Sequence, residues 1–148
     1  MSNRGQHSKR FDLTPWEPEE HALQIDCTTM LKRILLPQVA WTAIDHAHSF
    51  NPTIGRNGKP IGLMEMVKRK ARGIRAGLQD YSFWHSGLGF AIELKKSAAA
   101  PLSNDQKIWL RELQAAEVPV RICWTIDQVF WSVDGWGLVR PGVRLAAA

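Results

Sequence analysis

Asp80, Glu93 and Lys95 are the residues whose types and spacing could do chemistry. The run from Gly87 to Lys96 reads as a short strand led in by a glycine turn. Alternation along a strand puts Phe90, Ile92 and Leu94 on one apolar face and Ala91, Glu93 and Lys95 on the other. Thirteen positions before Glu93, Asp80 opens a second strand-like run that ends at Trp84. If the two runs pair as a hairpin, Asp80 comes close to Glu93 and Lys95. Two carboxylates and an ammonium gathered at a sheet edge suit a hard divalent cation bound beside a phosphate. The three residues alone do not decide the matter. Glu-x-Lys on an exposed strand face is ordinarily a solvated pair of little energetic consequence, and short motifs recur by chance.

The elements that must position these groups can be read from apolar spacing and turn residues. Residues 1 to about 13 are polar and basic with little to bury, and read as a flexible arm. Pro15 and Pro18, with Glu17, Glu19 and Glu20 beside them, mark the start of a helix whose first turn favours acids. Leu23, Cys27, Met30, Leu31 and Ile34 follow at helical spacing, and Pro37 ends the run. Glu20 stands three and seven residues before Leu23 and Cys27, on the inward face at the open end of that stripe. Dipole complementarity explains a first-turn acid by itself; the inward position makes Glu20 a candidate third carboxylate.

Val39 to Ile44 reads as a strand, followed by Asp45, His46 and His48. His-x-His beside an aspartate resembles a metal cluster, but no third histidine or cysteine is suitably spaced, and a polar loop is the stronger reading. Residues 53–60 form a loop. Ile61 to Arg72 reads as a helix with Leu63, Met66 and Val67 inward and its lysines and arginines outward. Gly73 to Gln79 is a glycine-punctuated turn that delivers Asp80, where small residues let a polymer backbone come close. After the Glu93 strand, Ser103 and Gln106 have capping-box spacing at the start of a helix that runs to about Ala116. That cap is a complete structural explanation for Gln106. Val118 to Trp124 is a final strand, and Thr125 N-caps a short helix to Trp131. Trp131, Trp136 and Leu138 are left to the core or to a dimer surface.

Length and composition bound the remaining choices. A chain of 148 residues predicts one domain with a real core, here residues 14–144, between the arm and a frayed tail at 145–148. No apolar run approaches the ~20 residues of a membrane span, and the polar, basic N-terminus lacks the apolar stretch of a secretory signal. Cys27 and Cys123 are far apart in apolar surroundings and read as reduced core residues of a cytoplasmic protein. The net charge of +5 is unevenly spread. Residues 56–75 carry +6, through Arg56, Lys59, Lys68, Arg69, Lys70, Arg72 and Arg75 against Glu65, and residues 1–10 carry +3. The rest of the chain therefore sums to −4. Two basic patches on a mildly acidic body are the footprint of a polyanion binder, here nucleic acid.

Four stretches, in order, resemble the VRR-NUC (virus-type replication-repair nuclease) family of the PD-(D/E)xK nuclease superfamily. Glu20 to Gln24 resembles its N-terminal helix motif, and Lys70 to Asp80 its glycine-rich approach to an aspartate. Ile92 to Lys95 resembles its ExK strand, and Leu102 to Trp109 its helix with a signature glutamine. The resemblance spans Glu20 to about Val129. Gln79 stands where the family usually has proline, and Glu117 near a usual glycine. The fold so implied is α/β: a restriction-endonuclease-like core, with a mixed central sheet of about four strands flanked by helices. The activity implied is Mg²⁺- or Mn²⁺-dependent hydrolysis of DNA phosphodiester bonds, structure-selective, in a phage or mobile-element setting. Asp80 and Glu93 would bind the metal with the Leu94 backbone, Glu20 would support it, and Lys95 would act on water with Gln106 positioning it. The basic residues from Arg56 to Arg75 would hold the DNA backbone, and a homodimer would suit a two-stranded substrate. The competing expectation is a non-catalytic nucleic-acid-binding module on the same fold.

Overall fold

The computed structural model describes residues 18–44, 53–59 and 61–146. The basic arm, Asp45, His46 and His48 lie outside the described residues. In chain order the elements are α1 (Pro18–Ile34), β1 (Ala40–Ala43), α2 (Ile61–Ala71), β2 (Tyr81–His85), β3 (Leu88–Leu94), α3 (Asn104–Ala115), β4 (Val120–Cys123) and α4 (Ile126–Gly135). The fold is mixed α/β, with a four-stranded sheet in the order β1-β2-β3-β4 and helices against it. No helix among the described residues is long and apolar enough to cross a membrane.

Register follows from the turn between β2 and β3. Ser86 and Gly87 connect the strands with φ of 50° and 79°. Two successive positive φ values are what the tightest twist-matched hairpin loop requires, and glycine supplies one at no steric cost. Tyr81 then lies opposite Ile92 and Phe83 opposite Phe90. The same register carried one residue further sets Asp80 across from Glu93. The neighbouring antiparallel ladder also runs past its strand ends, because the Ile44 N–H donates to the Asp80 carbonyl at 2.8 Å. Asp80 is thus held on both sides. β3 and β4 are parallel, with Leu94 opposite Cys123, and α3 makes the crossover that parallel neighbours need.

One face of the sheet is the main core. Tyr81, Phe83, Phe90, Ile92 and Leu94 meet Cys27, Leu31 and Ile34 of α1 and Val129, Phe130 and Val133 of α4. The stripe expected on α1 is the one that is buried, with Leu23 and Met30 partly covered at its margins. Leu138 is fully buried, and Trp136 packs on Phe90 at 5.0 Å between ring centroids. Both therefore belong to the core, whereas Trp131 is 61% exposed. α4 runs past Trp131 to Gly135, because Val133 extends its buried stripe by one more turn. Val143 and Leu145 pack on the core, so the described part of the tail is held. Val67, expected inward, is 62% exposed; the side chains of Leu63 and Met66 lie outside the described residues.

The other face is also covered, and this departs from a solvated strand surface. Ser82, Ala91, Glu93 and Lys95 are all buried. α3 reaches them through Gln106, which bonds Glu93 and Lys95, and through Trp109, which bonds Gln79 and so Ser82. Gly77 locks the loop before β2 onto the start of this helix. A Cβ there would stand 2.5 Å from the Gln106 nitrogen and 2.7 Å from the Asp105 carbonyl oxygen, and φ is +75°. Only glycine satisfies both the conformation and the approach.

Candidate active site

Glu93 occupies the centre of the covered face with 2% of its surface exposed, and Lys95 follows on the same face at 8%. The Lys95 Nζ lies 3.1 Å from Glu93 Oε1. Asp80, opposite Glu93, accepts the Leu94 N–H on Oδ2 at 2.6 Å, a bond that ties its carboxylate to the backbone of the Glu93 strand. The structure thus brings together the three residues that the strand pattern singled out.

Gln106 joins them from α3. Its Oε1 accepts from the Ser103 N–H at 2.9 Å, while the Ser103 hydroxyl accepts from the Gln106 N–H at 3.2 Å, so the capping box is complete. The same Oε1 accepts from Lys95 Nζ at 3.0 Å, and Nε2 donates to Glu93 Oε1. One amide therefore ends a helix and bridges the site's acid and base. Glutamate could complete the box equally well, but it would set another carboxylate against Glu93. The dual role explains why the third helical position carries an amide.

The electrostatics are strained in one direction. Burial first, and then the Asp80 carboxylate, push the Glu93 carboxyl up to about 8; the Lys95 ammonium offsets part of this and Glu20 adds to it. Glu93 Oε2 is buried with no hydrogen-bond partner. A buried acceptor left unmade costs about 1–3 kcal/mol, more if charged, and such groups need a reason. The arrangement fits a hard cation: two oxygen donors across one strand pair, one oxygen unused, and like charges that a cation would reconcile.

Glu20 lines the same cleft from the first turn of α1, half-buried. It does not close a three-acid cluster. Among the described residues, no three histidine, cysteine, aspartate or glutamate side chains group so as to hold a metal. The reason is architectural: the buried stripe of α1 packs on the opposite face of the sheet, so its first turn reaches only the rim of the site. An ion here would depend on Asp80 and Glu93, with a backbone carbonyl at Leu94, water and substrate oxygens making up the rest. That balance is ordinary for Mg²⁺, which keeps several waters and uses one or two carboxylates.

Asp80, Leu94, Lys95 and Gln106 line a cleft of about 1020 Å³, and Glu93 lies buried behind that wall and is not part of it. Its walls are α1, the end of β3 with Lys95 and Lys96, and the loop from Ala100 to the Ser103 cap. Among the described residues, none of the basic set from Arg56 to Arg75 is part of that wall. Arg56, Lys59, Lys68, Lys70 and Arg72 are exposed elsewhere, and Arg69 is half-buried. Arg75 departs furthest from a phosphate-binding role. Its guanidinium pairs with both oxygens of Glu112, one at 2.8 Å, and lies 4.8 Å from the centre of the Trp109 ring. The Trp109 indole in turn donates to Gln79 Oε1 at 2.5 Å, and Gln79 Nε2 donates to Ser82. Gln79, where proline was the family expectation, thus anchors the approach to Asp80 by side-chain bonds. Sequence reasoning missed this chain because it links residues up to 37 positions apart with no local signature.

Comparisons of the chain with protein-family models, with curated proteins and with solved structures find no match.

Proposed function

We propose that this chain is a divalent-metal-dependent DNA endonuclease of the PD-(D/E)xK type, VRR-NUC-like, on a restriction-endonuclease-like core. The observation that carries the reading is Glu93: fully covered, opposite Asp80, with one oxygen unpartnered and an ammonium 3.1 Å from the other. A purely structural strand gains nothing from two facing acids under a helix.

In this reading Asp80 and Glu93 would hold Mg²⁺ or Mn²⁺. The ion would lower the pKa of a bound water and neutralise phosphate charge. Lys95, fixed by Glu93 and Gln106, presents an N–H donor where charge builds on the phosphoryl oxygens, and orients the attacking water. Gln106 keeps that amine from swinging into solvent. Glu20, which lines the cleft from the first turn of α1, would accept hydrogen bonds from water there if an ion were bound. Burial on the α3 side keeps the local dielectric low, which strengthens each of these interactions.

The test is Lys95→Ala beside the parent, in a plasmid-nicking assay with Mg²⁺ or Mn²⁺ and in a binding assay without it. Metal-dependent cutting by the parent, lost in the variant while binding persists, is the expected result. A parent that binds DNA but never cuts it with either ion would instead mark a non-catalytic binding module.

A further inference from the structure

The basic residues at the cleft are not those on α2. On α1, the residues that line the cleft are Glu20, Gln24, Thr28 and Lys32 on one row, and His21, Ile25 and Thr29 on the next. Both rows repeat every four residues, the spacing that makes one continuous ridge on a helix. The ridge begins with an acid at the site and ends, twelve residues on, with Lys32. At ~1.5 Å per residue that is about 18 Å, the axial rise of roughly five base pairs of a duplex at ~3.4 Å each. Lys96 stands on the other wall, directly after the Lys95 strand, and is exposed. Among the described residues, no phenylalanine, tyrosine or tryptophan lines the cleft. Single strands are ordinarily held by stacking bases on aromatic rings. The Thr28 hydroxyl is engaged by Tyr81 and the Thr29 hydroxyl donates to the Ile25 carbonyl, so it is the ammonium groups of Lys32 and Lys96 that match phosphates, contacts that fix position and not sequence.

We infer that the cleft holds one sugar–phosphate backbone of a DNA duplex along the α1 ridge, with Lys32 and Lys96 as its phosphate anchors. This rests on the nuclease reading for the choice of polymer, and it adds the substrate form and the path. Binding is insensitive to base sequence. The exposed lysines and arginines of α2 then lie off the cleavage track and contribute at most long-range attraction.

The experiment is fluorescence anisotropy of a short labelled duplex, and of one of its strands, in EDTA, so that no cutting is needed for a signal. The parent, Lys32→Ala/Lys96→Ala and Lys68→Ala/Lys70→Ala are compared between ~50 and ~200 mM salt. Each phosphate contact contributes about 0.9 to the log–log salt slope. The Lys32/Lys96 variant is therefore expected to lose about 1.8 from that slope. Its affinity falls across this salt range by about tenfold less than that of the parent. The α2 variant keeps the parent slope, and the duplex binds more tightly than the single strand. A Lys32/Lys96 variant with the parent's affinity and slope overturns the assignment; if that parent still cuts with Mn²⁺, the nuclease reading stands without it. Tighter binding of the single strand overturns the duplex assignment. A parent that binds neither form overturns this surface and the nuclease reading together.

Discussion

Gly77→Ala separates two costs that the structure predicts at a single position. The residue has φ of +75°, a conformation that costs an L-residue about 1–2 kcal/mol. The new methyl would also stand 2.5 Å from the Gln106 nitrogen. That atom belongs to the first turn of a capped helix and cannot swing aside as a side-chain end can. Forcing such a contact costs about 1–3 kcal/mol. The total, about 2–5 kcal/mol, is a large part of the ~5–15 kcal/mol that holds a domain folded. Gly73→Ala is the internal control: φ is +81°, yet nothing lies within 4 Å of the added carbon. It should lose only the conformational part. Urea unfolding followed by tryptophan fluorescence gives both values, and the m-value should not change. The shift at Gly77 also moves the backbone that carries Gln106, so cutting should fall further than in the Gly73 variant at a temperature where both are folded. Equal losses of stability in the two variants would refute the close approach of this loop to α3.

Three further outcomes are expected. Tyr81 is the sole tyrosine, and burial pushes its phenol up from 10 to about 12 even though Thr28 holds the oxygen at 2.6 Å. Its contribution is fully present below pH 10 and is lost as pH rises through 12. The shift is worth about 3 kcal/mol at ~1.4 kcal/mol per unit. Absorbance near the phenolate band should therefore rise only together with alkaline unfolding. Cys27 is pushed up to about 12 by burial first and then by Cys123 and Asp26, and Cys123 is raised by burial as well. A colourimetric thiol reagent at mildly alkaline pH should count no fast thiol in the native protein and two in denaturant. Arg75 and Glu112 should show a favourable coupling in a double-mutant cycle that shrinks with added salt, because both are well exposed. Arg75→Ala should leave the salt slope of DNA binding unchanged.

Local pattern was enough to place most of the elements. The α1 stripe, the glycine turn before the Glu93 strand, the Ser103 cap and the Thr125 cap all depend on neighbours within a few positions, so they are legible in order along the chain. Alternation likewise assigned Glu93 and Lys95 to one face, since a strand allows only two. The pairing of Asp80 with Glu93 needed just one further fact, the hairpin register, which the turn itself sets.

What the residue order could not decide was which surfaces are covered. From sequence, Glu93 and Lys95 could equally have been a solvated pair, an account that α3 removes by bonding them through Gln106, and Arg75 was grouped with the phosphate ligands until Glu112 and Trp109 met it from the same helix. Burial is a property of contacts between segments far apart in the chain, and it changes what a charge is worth. The amide of Gln106 shows the division plainly. Its spacing from Ser103 announced a helix cap, whereas its second set of bonds, to an acid and an amine on a strand, exists only because the crossover brings that cap over the sheet.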